Sequence, residues 1–89
     1  MTLELFGMAR ELVGAPDVEL DVAEPATLRS LLGELARRYP KLSGAVLDPD
    51  THAPIEPHAL LLDGRRASGM DERVRAADRP VLLIIPSGG

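Results

Sequence analysis

The sequence of 89 residues contains no cysteine. A chain without cysteine has no disulfide framework, no thiolate nucleophile and no cysteine-ligated metal site. Any sulfur chemistry would therefore have to be carried by another atom of the chain.

Aromatic residues are almost as scarce, because tryptophan is absent and Phe6 and Tyr39 are the only aromatic side chains. Hydrophobic residues nevertheless make up 45% of the sequence, so the core must be built mainly from Leu, Val, Ile and Ala. A chain of this length forms one domain and buries roughly 60–70% of the surface that its unfolded form exposes. These features favour a single compact α/β packing.

Positive charge is also limited, since 10 Lys and Arg residues stand against 14 Asp and Glu residues, giving a net charge of -4. Binding to a phosphate backbone depends on clustered basic residues, so this composition argues against a nucleic-acid partner. The start, "MTLELFGMAR", lacks the basic and apolar segments of a secretion signal, and no apolar run approaches the ~20 residues that span a membrane. We therefore expect a cytoplasmic protein without a membrane partner.

Hydrophobic periodicity in the first half predicts two strands and two helices. Apolar and polar residues alternate from residue 2 to Gly7 and again over residues 17–22, and the charged face of the second strand places it near a sheet edge. Residues 8–13 between them are expected to form one or two helical turns. The clearest helix begins after Thr27, a predicted N-cap, and ends at Pro40. Its buried stripe is predicted to be Leu28, Leu31, Leu32, Leu35, Ala36 and Tyr39.

The second half predicts a loop, a hairpin and a final strand. Residues 43–57 contain three prolines without a lasting period, which indicates a long loop with one turn around residues 45–47. Strands at residues 59–62 and 65–67 flank Asp63-Gly64, a strong hairpin signal. A short turn capped by Asp71 is expected over residues 72–76. The last strand, "VLLII", is apolar on both faces, as is typical of a central strand covered on both faces or lying at the heart of a sheet.

This order of elements predicts an α+β fold in which one long helix lies on one face of a mixed sheet of four to five strands. Such an arrangement is the ubiquitin-like roll, or β-grasp. A split βαβ fold of the ferredoxin type would also fit the number of elements, but it requires a second long helix. The sequence contains no pattern for one.

The last four residues, Pro86, Ser87, Gly88 and Gly89, suggest where the chemistry lies. We expect a domain over residues 1–86 and a flexible diglycine tail over residues 87–89. Glycine has no side chain to obstruct a narrow channel or to shield a terminal carboxylate. The tail is therefore predicted to enter the active site of another protein, with Gly89 as the reacting residue. The simpler alternative is a frayed end.

Four segments together resemble the ubiquitin-like sulfur-carrier family. They are "FxxARELVG" at residues 6–14, "ATLRSLL" at residues 26–32, "LLxDGR" around Asp63-Gly64, and the apolar last strand that leads to Gly88-Gly89. The family includes the small subunit of molybdopterin synthase and the thiamine-pathway sulfur carrier, and the "ARELVG" segment favours the former. The chain departs from the family at Asp78-Arg79-Pro80, where an acidic turn is usual, and in its shorter tail.

The resemblance implies that a ubiquitin-activating-type adenylating enzyme uses ATP to activate the carboxylate of Gly89. A sulfur donor enzyme would then convert it to a thiocarboxylate, and the large subunit of molybdopterin synthase would receive the tail. The chain would be a non-catalytic accessory subunit that binds no cofactor or metal. Three alternatives stay open: a sulfur carrier for tRNA thiolation or thiamine synthesis, a protein modifier whose Gly89 is joined to target lysines, and a structural binding domain with an incidental tail.

Other polar residues are weaker candidates. His52 and His58 lie on the predicted loop at a spacing that matches no common metal motif, and are expected to be exposed. Asp48 and Asp50 with His52 lack the glycine and distal glutamate of a calcium loop. A group of arginines could form a basic patch for an acidic partner or simply be solvated surface: Arg65, Arg66, Arg73, Arg75 and Arg79. The resemblance also implies an apolar sheet surface for docking, without identifying its residues.

Overall fold

A computed structural model describes residues 1–86 of the chain. In chain order, the elements are β1 Thr2–Leu5, α1 Met8–Val13, β2 Asp17–Glu19, β3 Ala26–Thr27, α2 Leu28–Arg38, β4 His58–Leu62, β5 Arg65–Arg66, β6 Arg73–Val74 and β7 Val81–Ile84, with 3₁₀ turns at Pro40–Leu42 and Ala76–Asp78.

Five strands form one mixed sheet in the order β2-β1-β7-β4-β5. The first and last strands of the chain run parallel at its centre, where Leu5 pairs with Leu82, and every other neighbour in this sheet is antiparallel. Within residues 1–86, α2 is the only helix longer than six residues. The predicted α+β fold, with a β-grasp sheet and one long helix, is therefore confirmed, and the ferredoxin-type alternative is wrong.

The helix α2 begins where the sequence predicts, because the Thr27 hydroxyl accepts a hydrogen bond from the backbone N–H of Ser30 at 3.1 Å. This bond satisfies one of the free donors at the start of the helix. The predicted stripe is buried against the sheet, except that Tyr39 is only partly buried. The side chains that meet it from the main sheet are Leu3, Leu5, Val18, Leu60, Leu62 and Leu82.

Two connections require backbone conformations that L side chains rarely adopt. In the predicted hairpin turn, Asp63 and Gly64 have φ angles of 51° and 83°, the signs that a two-residue type I′ turn needs to match the twist of its strands. Gly7, between β1 and α1, has φ 63°. A side chain at Gly7 would strain this backbone, so the glycine lets the chain turn from the sheet into the helix.

The predicted long loop of residues 43–57 is confirmed, including a turn at residues 44–46. It is nevertheless attached to the core. Val46 and Leu47 are completely buried, and Leu47 forms isolated bridges with Ser43 and Pro54. The loop therefore covers part of the core instead of lying on the surface.

The prediction of a short turn over residues 72–76 is wrong. Arg73 and Val74 form β6, which pairs with Ala26 and Thr27 of β3 in a separate two-stranded sheet. This pairing brings the preceding loop to the start of α2, where the carbonyl groups of Glu72 and Met70 accept hydrogen bonds from the first two N–H groups of the helix. The loop thus caps α2 from a distant part of the sequence.

Glu72 holds this loop in place. Its carboxylate accepts hydrogen bonds from the Arg65 guanidinium and from the backbone N–H and hydroxyl of Ser68, the latter two at 2.7 and 2.9 Å. The bond from Arg65, followed by those from Ser68, lowers the pKa of Glu72 from its usual 4.5 to about 2. The ionised carboxylate is therefore favoured by folding.

We expect Glu72→Gln to reduce the acid sensitivity of the protein. A carboxyl group with a lowered pKa contributes stability above its unfolded pKa of 4.5, and this contribution is lost as the pH falls from 4.5 to about 2. The variant should therefore be less stable than wild type at neutral pH, and the difference should vanish near pH 2. Urea unfolding midpoints across this range measure the effect. Asp71→Asn is the control, since its ion pair with Arg29 is open to solvent on both sides; parallel losses in both variants would contradict the special role of Glu72.

No helix among residues 1–86 combines the length and apolar character needed to cross a bilayer. The predicted division between a domain ending at residue 86 and a flexible tail stays a prediction, because Ser87, Gly88 and Gly89 lie outside the described residues.

Candidate functional site

The chain leaves the fold from the centre of the main sheet. Ile84 pairs with His58 across β7 and β4, and the backbone N–H of Ile85 donates to the carbonyl of Pro57 at 2.8 Å. Pro86 follows as the last described residue and is exposed. The other predicted site residues, 87–89, lie outside the described part of the chain, and Pro86 marks the point to which they are attached.

Three exposed apolar side chains surround this point. Phe6 is 41% exposed, Met8 44% and Ile84 40%. They gather at this end of the sheet because β1 and β7 end side by side: the Phe6 N–H donates to the Leu82 carbonyl, and a Cβ placed on Gly7, between Phe6 and Met8, would lie 3.6 Å from Ile84 Cδ1. We call Phe6, Met8 and Ile84 the exit patch. Exposed large apolar side chains grouped at one end of a sheet are typical of a protein contact site.

Arg10 fixes one edge of the exit patch. Its Nε donates to the carbonyl of Leu5 at 2.9 Å, and its guanidinium lies 4.6 Å from the centre of the Phe6 ring. This stacking is a cation–π contact, which orients the ring and leaves a positive charge beside it. The arrangement supplies the patch with a defined shape and one cationic border.

The outer face of the sheet continues the apolar surface. Leu82 is buried under α2, but its neighbours Val81 and Leu83 point to the opposite face and are only partly buried. Leu61 of β4 pairs with Val81 on the same outer face. The prediction that β7 lies at the heart of the sheet is confirmed, whereas coverage of both its faces is wrong. We call Val81, Leu83 and Leu61 the outer strip. These residues are the candidates for the apolar docking surface that the family resemblance implies.

Charged residues border the outer strip. Glu4 stands beside Val81 on the neighbouring strand β1, and Asp17 follows it on the edge strand β2. On the other side, Arg66 pairs with Leu61 across the hairpin and forms an ion pair of 2.8 Å with Glu56. The apolar strip therefore lies between an acidic edge and an ion-paired edge, which gives a docking partner a defined orientation.

The histidines differ from the sequence prediction. His58 is not an exposed loop residue: it begins β4 and is 4% exposed. Its Nδ1 lies 3.1 Å from the carbonyl of Ile55, so Nδ1 carries the proton and donates it. The other ring nitrogen has no hydrogen-bond partner among residues 1–86. His52 lies in the loop, half-buried, with a φ of 66°.

The acidic loop residues serve local structure. The Asp48 carboxylate accepts hydrogen bonds from the backbone N–H groups of Asp50 and Thr51 at 2.8 and 3.0 Å, with the Thr51 bond the larger cause of the lowered pKa of Asp48. This is an Asx-type turn. Among the residues that the structure describes, no group of three His, Cys, Asp or Glu side chains is placed to hold a metal ion.

The predicted basic patch is partly neutralised. Arg65 is paired with Glu72 and Arg66 with Glu56, so two of its five members are occupied within the fold. The candidate site residues that sequence reasoning did not single out are Phe6 and Arg10 at the exit patch. A usable signal was present, because Phe6 follows Glu4 on the polar face of β1, where a large aromatic side chain is unexpected in a soluble strand.

A family model matches almost the whole chain, in agreement with the resemblance to the sulfur-carrier family. The model of the ThiS family matches residues 3–89, which include nearly all of the described fold and the diglycine. No functionally curated protein matches the sequence at a significant level.

Solved structures of similar proteins share the fold. Small archaeal modifier protein 1 (SAMP1) from Haloferax volcanii is 29% identical, with a TM-score of 0.78 over 100% of this chain and 98% of that protein. A Pyrococcus furiosus protein provisionally assigned as molybdopterin converting factor, subunit 1, is 25% identical, with a TM-score of 0.67 over 96% and 93% of the two chains. The modifier protein from Methanosarcina acetivorans, at 21% identity and a TM-score of 0.76, shares the fold.

The central last strand, the hairpin at Asp63-Gly64 and the match over residues 3–89 lead to one conclusion. The chain belongs to the ThiS family of ubiquitin-like sulfur carriers.

Proposed function

We propose that the protein carries sulfur on Gly89 as a terminal thiocarboxylate. The observation that carries this proposal is the family match, which runs from β1 through the diglycine. The position of β7 supports it, since the strand that leads to the tail is held on both sides by β1 and β4. A tail attached to a rigid central strand can be presented to another protein in a reproducible position.

The proposed chemistry begins with activation of a poor electrophile. A carboxylate would have to expel oxide, so a ubiquitin-activating-type adenylating enzyme transfers AMP from Mg-ATP to Gly89. A sulfur donor enzyme then supplies the nucleophile that displaces AMP, which leaves the thiocarboxylate. Its anionic sulfur is the reactive form, as for thiolates in general. The carrier is consumed and regenerated as a co-substrate.

The outer strip and the exit patch are the surfaces we assign to partner docking. Both are apolar and accessible, and the exit patch lies where the tail leaves the fold. A partner that covers Phe6 and Leu83 would receive Pro86 and the residues after it in a fixed direction. Affinity would come from these side chains, and reactivity from Gly89.

As acceptor we propose the large subunit of molybdopterin synthase. The support is the similarity to the Pyrococcus protein assigned as a molybdopterin converting factor subunit. Use of ATP by the activating enzyme would place the reaction in the cytoplasm. Delivery to thiolated tRNA or to thiamine synthesis uses the same activated sulfur and differs only in the acceptor.

Incubation with Mg-ATP, inorganic sulfide and a ubiquitin-activating-type enzyme from the same cell should convert the chain to a thiocarboxylate. The expected result is a mass gain equal to the replacement of one oxygen by one sulfur, with release of AMP. Intact-mass spectrometry measures the modification, and fragmentation locates it on Gly89. A chain without Gly89 is the control and should show neither change.

Two results would count against the carrier function. Absence of AMP release with the full chain would show that this enzyme does not activate it. An equal mass gain in the chain without Gly89 would place the sulfur elsewhere.

A second candidate function is protein modification. It is favoured by the similarity to two solved structures of small archaeal modifier protein 1 from Haloferax volcanii, at 29% and 27% identity. The same acyl-adenylate of Gly89 would then react with a lysine amine in place of sulfide. The two functions share the activation step and differ in the nucleophile.

A further inference from the structure

We propose that Lys41 is the site at which this chain accepts the activated Gly89 of a second copy. The proposal rests on the modifier function described above, and it names the acceptor residue. Lys41 is the only lysine in the sequence. It is exposed, and among residues 1–86 it has no salt-bridge partner.

The backbone at Lys41 is rigid while its amine is accessible. Lys41 occupies the middle of the 3₁₀ turn Pro40–Leu42, in which Leu42 is completely buried. The N–H groups of Leu42 and Ser43 donate to the carbonyls of Tyr39 and Pro40 at 3.0 and 3.1 Å. An accessible side chain on a fixed backbone presents the amine in a limited volume, which suits an attacking nucleophile.

Lys41 also borders a groove. The groove has a volume of about 280 Å³ and lies between α1 and the end of α2. Its walls are Leu12, Val13, Arg38, Tyr39, Pro40 and Lys41. Four of these side chains are uncharged and two are cationic. Such a surface complements a narrow, apolar chain that ends in a negative charge.

The tail of a second copy has this chemistry. Pro86 is apolar, the two glycines after Ser87 add no bulk, and the acyl-adenylate carries a negative phosphate. Arg38 is fixed at the wall of the groove, since its guanidinium donates to the carbonyl of Glu19 at 2.5 Å and lies 5.7 Å from the Tyr39 ring. Charge complementarity therefore selects the activated tail as the occupant of the groove.

The N-terminal amine of Met1 is less suited to the reaction than the side-chain amine of Lys41. The Met1 amine donates to the Glu19 carboxylate at 2.6 Å and to the carbonyl of Leu20 at 2.8 Å. An amine that keeps these bonds is enclosed and already engaged, whereas the Lys41 amine has no comparable restraint among the described residues. This contrast makes Lys41 the preferred acceptor.

The covalent step is a substitution at the activated carbon. The Lys41 amine loses a proton and attacks the carbonyl carbon of Gly89, forming the N–C bond. The C–O bond to the phosphate breaks, AMP leaves with the electron pair, and the nitrogen loses a second proton to give a neutral isopeptide. No oxidant or reductant is needed, because the energy comes from the ATP that formed the adenylate.

The test uses the full chain with Mg-ATP and the activating enzyme, without sulfide. Wild type should give a ladder of covalent multimers on a denaturing gel, and peptide mass spectrometry should find Gly89 joined to Lys41. Lys41→Arg keeps the charge and should lose the ladder. When sulfide is supplied, this variant should form thiocarboxylate at the wild-type rate, which shows that its activation is intact.

Moving the lysine to another position tests whether the reaction needs the groove at residue 41 or only an exposed amine. The double variant Lys41→Arg with Arg73→Lys preserves the net charge and moves the amine to exposed β6. We expect no ladder. Recovery of the ladder would overturn the groove as the acceptor site, and a Lys41–Gly89 bond within one monomer would overturn the second copy as the occupant. Wild type that forms thiocarboxylate but no multimers would overturn the proposal and leave the carrier function standing, whereas absence of AMP release would overturn both.

Discussion

A chain with Gly88→Val should form the thiocarboxylate at least ~100-fold more slowly than wild type, while its thermal unfolding stays unchanged. The residue adjoins the proposed reacting carbon, where a branched side chain would widen the peptide inside a channel built for glycine. Displacement of a reacting atom by ~1 Å can cost about 100-fold in rate, which corresponds to ~2.7 kcal/mol of barrier. The fold should be unaffected because residues 1–86 contain the whole described core.

The matched control is Ser87→Val, which introduces the same side chain one residue farther from the reacting carbon. Its expected rate loss is less than tenfold, since the diglycine is kept. AMP release and intact mass, followed over time at equal enzyme concentration, separate activation from sulfur transfer. Equal rates for Gly88→Val and wild type would show that the diglycine does not need to be free of side chains, and would remove the main chemical argument for its role.

Elements with a local signal could be predicted from the sequence. Residues 8–13 form α1 with the predicted bounds because Gly7 and Gly14 flank a short helical pattern. The start of α2 follows from one side chain, that of Thr27, which bonds within its own helix. The turn at Asp63-Gly64 is likewise local, because these two residues themselves adopt the positive φ angles that the turn requires. In each case the deciding contacts lie within a few residues of each other.

Features that depend on distant contacts could not be predicted. The strands β3 and β6 have two residues each, too few for any period, and they form because Ala26 meets Val74 from a remote part of the sequence. The exit patch has the same origin, since Gly7 and Ile84 come close only when the first and last strands pair. The "VLLII" run indicates a central strand but not which of its faces α2 covers. That distinction separates the leucines of the core from those of the outer strip.

Leu82→Ala should destabilise the protein by about 2–5 kcal/mol, the usual cost of removing a buried leucine side chain. Leu82 is completely buried between β1 and β4, where it pairs with Leu5 and Leu60. A domain of this size has a total stability of roughly 4–13 kcal/mol, so this single change should remove a large part of it. Urea unfolding at neutral pH measures the loss.

Leu83→Ala makes the same chemical change one residue later, but it should weaken partner binding and have little effect on stability. Leu83 lies on the outer strip and is only partly buried, so its removal should cost about 1 kcal/mol of stability or less. If the outer strip docks the activating enzyme, the variant should bind that enzyme about tenfold more weakly, equivalent to ~1.4 kcal/mol. Titration calorimetry with the same enzyme measures this effect. Equal destabilisation by both variants would mean that the outer face is covered in solution, and unchanged affinity of Leu83→Ala would move the docking surface away from β7. Adjacent leucines on one strand thus test separately whether the core holds the tail in place and whether the outer face brings the tail to its partner.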